Sequence, residues 1–441
     1  MGHTLRGCPD SNRLDKGNFV RTLEGLEVEF SRSKNELEKA PFLGIKGRTP
    51  ASHEWRGLQT IDPSLKLVEE IDPETGEIFT YQDTKKGRKV YKTVQENRAE
   101  RYALKSVVNA MFPKSETSKC SRAKVPGQSV IICKDPEHQK AFYTGLRRCG
   151  SVWWCPLCAA KIAERRRVEL VAGVATAKAM GWHVYLMTCT VPHGLGDDIN
   201  DILKRMLKAW SKMTDCRAGK AVRKDLCFEG TVRTLEVTDG NNGFHPHFHI
   251  LIFTSRNLSD SVLEYFFTPL WQDACVKSGL PRPSDEHGLK VDDGAWAAKY
   301  ASKWGLEDEM VKGHMKTSKG LNGFTPWDML RDILRNASER SRKRFFIYAN
   351  AFKGRRQLYW SNGLKAKLGV EDFTDEELAA KDQEHASELA ELTVNQWRLV
   401  LVNRCESALL DLAERSPQDI PAFLSALWGN DLKTKLPGEQ S

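Results

Sequence analysis

Apolar and polar positions alternate most regularly in two runs near the middle of the chain. Thr231–Thr238 reads T-V-R-T-L-E-V-T, and Phe244–Phe253 reads F-H-P-H-F-H-I-L-I-F. A period of two in branched and aromatic residues predicts strands. The Gly/Asn-rich stretch Asp239–Gly243 between them predicts the turn of a hairpin. On the second strand His247 and His249 share one face, about 7 Å apart along the chain. Phe248, Ile250 and Ile252 then face a core. In the hairpin, Glu236 comes opposite the histidine pair and on their side.

The rest of the chain follows the same two periods. Val68–Gln82 patterns as a hairpin turning at Asp72–Gly76, and Trp182–Val191 and Gly288–Asp293 as strands. Val94–Met111, Ala159–Met180, Asp198–Met213 and Leu258–Lys277 carry helical spacing, the first closed by Pro113. The aromatics of Leu258–Lys277 belong to a core rather than to a stacking platform. A further helix is predicted over Ala295–Trp304. In Ser341–Trp360, Arg and Lys interleave with Phe and Tyr. That mix suits backbone contact plus base stacking, and equally a basic amphipathic helix followed by a strand. From Glu371 the pattern is of separate acidic helices, with Trp397, Val400 and Leu401 on one apolar stripe. The succession predicts an α+β fold, a central antiparallel sheet with helices on one face. Four regions result: an N-terminal extension (1–115) suited to DNA contact or core packing, a cysteine-rich segment (116–160), the α+β domain (161–370) and an acidic helical region (371–441).

Charge sharpens this division. The chain has 441 residues, room for about two to three domains. Residues 371–441 hold 15 acidic and 6 basic side chains, a net of −9, whereas the first 370 hold 61 basic and 43 acidic, a net of +18. A basic body suits a nucleic-acid backbone, and an acidic end suits protein contacts or solubility. No apolar segment follows Met1–Cys8, and no run approaches the roughly 20 apolar residues that cross a bilayer. Eleven cysteines, an odd number, point to metal and free thiols rather than a disulfide framework. A cytoplasmic protein is expected.

Two metal sites are legible. Paired imidazoles beside a carboxylate, with positions left open, suit Mn²⁺ or Mg²⁺ holding a phosphate, so Glu236, His247 and His249 are candidate ligands. Cys155-Pro-Leu-Cys158 is a knuckle that supplies two thiolates to a tetrahedral Zn²⁺. Cys149 and Cys133 complete that expected structural set, with Cys120 and His138 in reserve. Arg165, Arg166 and Arg167 form a run on one helix, and Arg342, Lys343 and Arg344 another; both are candidate phosphate contacts, or solvated helix faces. On the helix Ala295–Trp304, Tyr300 and Lys303 share a face.

These stretches together resemble the HUH endonucleases, and especially the replication initiators of rolling-circle plasmids. The His-Phe-His of His247–His249 is similar to their second motif, Tyr185–Thr190 (Y-L-M-T-C-T) to the first, and Lys299–Lys303 (K-Y-A-S-K) to the third. The order of the motifs is that of the initiators, and R-R-C-G-S-V-W-W-C-P-L-C resembles their cysteine-rich segment. The resemblance implies that Tyr300 is the nucleophile that nicks single-stranded origin DNA, assisted by Lys303. The product would be a 5′-phosphotyrosine and a free 3′-OH for a host DNA polymerase, and the ends can later be rejoined. No G-x-x-x-x-G-K-[ST] occurs, so strand separation falls to a host helicase. The sequence departs from some initiators at one place: Trp296 stands where they carry a Glu one turn before the tyrosine. With Trp304 at the next turn, the motif has a single tyrosine. Two alternatives stay open: a single-strand transposase of the same chemistry, and a non-catalytic zinc-dependent DNA-binding repressor.

Overall fold

The computed structural model describes residues 67–71, 78–84, 87–90, 94–136, 139–292, 323–380 and 386–434. In chain order the strands are β1 (Leu67–Ile71), β2 (Ile78–Thr84), β3 (Gly87–Val90), β4 (Val130–Lys134), β5 (Ala141–Thr144), β6 (His183–Thr190), β7 (Phe228–Gly240), β8 (Gly243–Thr254), β9 (Leu289–Asp292), β10 (Leu358–Trp360) and β11 (Ser387–Leu392). The helices are α1 (Val94–Met111), α2 (Glu116–Lys119), α3 (Pro156–Ala179), α4 (Ile199–Asp215), α5 (Arg217–Asp225), α6 (Asp260–Lys277), α7 (Pro326–Asn336), α8 (Glu339–Phe352), α9 (Leu364–Lys367), α10 (Asp375–Ala380), α11 (Val394–Val402), α12 (Glu406–Arg415) and α13 (Ile420–Thr434).

The long hairpin β7–β8 is the centre of a five-stranded antiparallel sheet of order β10-β7-β8-β6-β9. Its turn is short because Gly243 closes it with φ of +89°, where a side chain is strained and a Cβ would press on the carbonyl oxygen of Gly194 at 3.1 Å. Strand parity sorts β8 into two faces. Leu251 and Phe253, fully buried, pack with Val184, Leu186 and Val232 under Ala163, Leu170, Val174 and Ala177 of α3. Truncating such a Leu to Ala costs about 2–5 kcal/mol. On the other face Phe248 meets Trp210 of α4 and Trp271 of α6 edge-on, with ring centroids 6.1 and 6.3 Å apart. Helix α4 presents Ile202, Leu203, Met206, Ala209, Trp210 and Met213 inward at helical spacing, and Asp198 caps its start through the Asn200 N–H. Phe267 and Trp271 of α6 are core, as the pattern predicts.

The sheet is therefore covered by helices on both faces, not on one. The sequence pattern gave each helix a buried stripe but did not say which side of the sheet received it.

Residues beyond 371 also pack back onto earlier ones. Strand β11 pairs with β4 in a second antiparallel sheet, β11-β4-β5. Val130, Ile132 and Tyr143 share one core with Trp397, Leu399, Val400, Leu409 and Leu410. Arg98 of α1 donates to Asp411 at 2.6 Å and also pairs with Glu414, and its guanidinium is nearly buried between them. Strands β4 and β5 and the elements β11 to α13 thus share one packed core. The acidic side chains of this end include internal partners of basic ones, such as Asp411 and Glu414 for Arg98. Among the described residues no helix is long and apolar enough to cross a membrane.

Candidate functional site

The β7–β8 register places Glu236 directly opposite His247, and Thr234 opposite His249. On the other side of β8, Thr190 pairs with His247 and Thr188 with His249. The Nε2 atoms of His247 and His249 lie 3.5 and 3.7 Å from Glu236 Oε2, and all three side chains are almost fully buried. These separations are long for an N–H···O bond. They are close to the spacing of ligands around one small divalent ion, about 3.0–3.4 Å for bonds of about 2.1 Å. The other ring nitrogens are already engaged. His249 Nδ1 lies 3.0 Å from the Thr188 hydroxyl, and His247 Nδ1 lies 3.3 Å from the His245 carbonyl oxygen. A ring that donates from Nδ1 keeps the Nε2 lone pair bare, which is the tautomer a metal requires. The three residues can therefore hold one ion with coordination positions left open.

The histidine row continues beyond the trio. His245 stacks on His247 with ring centroids 5.3 Å apart, and its Nδ1 is 3.3 Å from His193 Nδ1. Burial, together with the neighbouring imidazoles of His247 and His193, brings the His245 pKa down to about 4, so the ring is neutral at pH 7. Trp271 donates from Nε1 to the Thr190 carbonyl at 2.9 Å, fastening α6 to the end of β6 beside the trio. At the hairpin end, Arg344 Nε donates to Asp239 Oδ2 at 2.9 Å and its guanidinium lies 3.7 Å over the Phe244 ring.

The second cluster is of cysteines. Cys120, Cys149, Cys155 and Cys158 converge, with Sγ atoms of Cys120 and Cys158 3.4 Å apart, Cys120 and Cys155 3.7 Å, and Cys149 and Cys158 3.8 Å. Four thiolates bound tetrahedrally at about 2.3 Å stand about 3.8 Å apart, so the set fits one closed ion. Cys155 stands at the N-cap position of α3 and Cys158 lies in its first turn. Cys133, expected in this set, is not part of it. It sits on β4 with its Sγ 3.8 Å from Thr144 Oγ1, facing the neighbouring strand β5. Cys120, held in reserve from the sequence, takes the place, because the turn after α2 is tied back to the cysteine loop by the Ser121 N–H bond to the Arg147 carbonyl at 2.8 Å.

The expected phosphate contacts fare unevenly. Arg166 is buried and bridges Glu169 at 2.8 Å and Asp375 at 3.0 Å. Arg165 donates to the Leu378 carbonyl, and Arg167 pairs with Glu164 at 2.7 Å. The arginine run on α3 thus holds α10 and its own helix together. Arg342 is buried beside Glu339, 3.4 Å away, and Arg344 belongs to Asp239. Lys343 alone of the six is exposed. Tyr300, Lys303, Trp296, Trp304 and the reserve ligand His138 lie outside the described residues. Sequence reasoning missed Thr188 as the partner of His249. The signal was present in the parity of β6, but the pairing of β6 with β8 was not.

The model of the Replication protein family matches residues 145–404, a span that holds the trio and three of the four clustered cysteines. The chain is 26% identical over 318 residues to "Protein rep" of Streptomyces lividans, covering 56% of this chain and 69% of that one. It is 26% identical over 170 residues to a "Neomycin resistance protein" of Streptomyces cyanogenus, covering 31% of this chain and 39% of the relative. No solved structure matches. A histidine pair opposed by a carboxylate at the centre of an antiparallel sheet is consistent with the HUH endonucleases, and the chain belongs to the Replication protein family of plasmid replication initiators.

Proposed function

We propose that this protein starts rolling-circle replication by nicking single-stranded origin DNA with Tyr300 as nucleophile, and later rejoins the ends. The observation that carries the reading is the Glu236–His247–His249 trio, with both Nε2 atoms facing one carboxylate oxygen. Glu236, His247 and His249 would hold Mn²⁺ or Mg²⁺, which supplies Lewis-acid neutralisation of the scissile phosphate. The Thr188 hydroxyl and the His245 carbonyl, 3.0 and 3.3 Å from the Nδ1 atoms of His249 and His247, orient the two rings. The Tyr300 phenol, with an ordinary pKa of about 10, loses its proton as its oxygen attacks phosphorus and the 3′ oxygen leaves. Lys303 stabilises the developing charge. The phosphotyrosine conserves the bond's energy, so a returning 3′-OH reverses the step without ATP.

Cys120, Cys149, Cys155 and Cys158 would hold a structural Zn²⁺, since four thiolates leave no open position for catalysis. Origin DNA is the direct partner, with a host helicase and DNA polymerase acting after the nick. The test is incubation with supercoiled origin plasmid, and with a 5′-tailed origin oligonucleotide, with and without Mn²⁺. The expected result is a metal-dependent nick and a protein–DNA band that survives boiling, mapped to Tyr300 and absent in Tyr300→Phe. An adduct that persists in Tyr300→Phe removes the assignment.

A further inference from the structure

A groove of about 930 Å³ runs between the cysteine loop and the edge strand β10. One wall is the loop Cys149–Trp154. Strand β10 with the turn that follows it and the turn Lys353–Arg356 also line the groove. The walls are built rather than incidental. Trp153 donates from Nε1 to the Arg355 carbonyl at 2.6 Å and receives the Tyr348 hydroxyl on its own carbonyl at 2.8 Å. Trp154 is half-buried and braced edge-on against Phe112, ring centroids 4.7 Å apart. Tyr359, also half-buried, is held by its hydroxyl bond to Asn362 at 3.1 Å.

The charges of the groove divide into committed and uncommitted ones. Its carboxylates are mostly neutralised by the protein itself: Glu116 by Lys119 and Arg147, Asp372 by Lys365, Asp375 by Arg166. Lys114, Lys353 and Arg356 enter no ion pair among the described residues, and Arg355 is held by the neutral oxygens of Ala351 and Asn200. Glu376 is the one lining carboxylate with no ion pair among those residues. A net positive groove with aromatic rings on its walls fits a single strand of nucleic acid, whose phosphates take the cations and whose bases take the rings.

Its position relative to the trio is set by register. Leu358, on the groove wall, pairs with Thr234, and Thr234 pairs with His249. Residues paired across a sheet lie on the same face, so Leu358 stands on the trio's face two strand spacings, about 10 Å, from His249, while its neighbour Tyr359, paired with Arg233, faces the other side of this edge strand. We propose that this groove binds the single-stranded DNA flanking the phosphate held at the trio, with Lys353 and Arg356 on phosphates and Trp154 on a base. The proposal rests on the nicking function proposed above and names where its substrate lies.

The test is fluorescence anisotropy with a labelled single-stranded origin oligonucleotide, no divalent ion added, across a salt series. Lys353 and Arg356 are exposed, so the double variant Lys353→Ala/Arg356→Ala keeps its fold, checked by circular dichroism. It should bind roughly tenfold more weakly at 0.15 M salt, and the slope of log K against log salt should fall by about 1.4, since each single-strand phosphate contact contributes about 0.7. Trp154→Phe keeps a stacking ring and should bind within about threefold of wild type, whereas Trp154→Ala should lose about tenfold. Unchanged affinity and slope in the double variant overturn the proposal. A wild type that binds through these residues yet forms no covalent adduct leaves the groove standing and removes the nicking chemistry instead.

Discussion

The two candidate ion-binding clusters of this protein are built in opposite ways. Glu236, His247 and His249 come from one hairpin, and 14 positions of sequence contain all three. The pleat sets their common face, and the register set by the hairpin turn sets their opposition. The cysteine cluster draws Cys120 from the turn after α2, Cys149 from a loop and Cys155 and Cys158 from the start of α3. Local geometry fixes only the last pair. A site inside one secondary structure survives loss of distant contacts, whereas a site assembled from three segments fastens them together. The trio is therefore suited to chemistry with open positions, and the cysteines to holding the fold.

The sharpest break in this comparison is His249→Ala against Cys120→Ser. His249→Ala should lower nicking by at least about 100-fold, since removing even an outer partner of a metal ligand costs 10–100-fold. Bound zinc and melting temperature should stay near wild type, measured by metal analysis and calorimetry on the same preparation. Cys120→Ser should lower tightly bound zinc from one per chain to none and reduce thermal stability, because metal binding and folding are coupled at such a site. Its specific nicking per folded molecule should fall far less than that of His249→Ala. Equal losses of nicking in the two variants would erase the division of labour.

Finer tests probe each cluster separately. Thr188→Val removes the hydroxyl that faces His249 Nδ1 while keeping shape on β6. The Mn²⁺ concentration for half-maximal nicking should rise about tenfold with little change in stability. A smaller effect is expected for Cys133→Ser. Zinc content should be unchanged, with a stability loss of about 1 kcal/mol for a buried hydroxyl beside Thr144. Loss of zinc in Cys133→Ser and retention in Cys120→Ser would restore the ligand set that spacing alone suggested.

What the sequence by itself determined is the local part of the protein. Alternation over Thr231–Thr238 and Phe244–Phe253, with glycine in the turn, specified the hairpin, its faces and the opposition of Glu236 to the histidines. Helical spacing located α1, α3, α4 and α6 to within a few residues. Both rest on interactions between near neighbours, which a linear pattern records. Only the tertiary structure decided what depended on segments far apart in the chain. It chose Cys120 over Cys133, paired β11 with β4, and placed Thr188 behind His249. It gave the buried Arg166 to Glu169 and Asp375 rather than to DNA, and laid helices on both faces of the sheet. A charge or a thiol carries no mark of its partner, and a buried stripe carries no mark of the surface that covers it. Those choices are made by packing and by the need to neutralise each buried charge, and they exist only once the chain has folded.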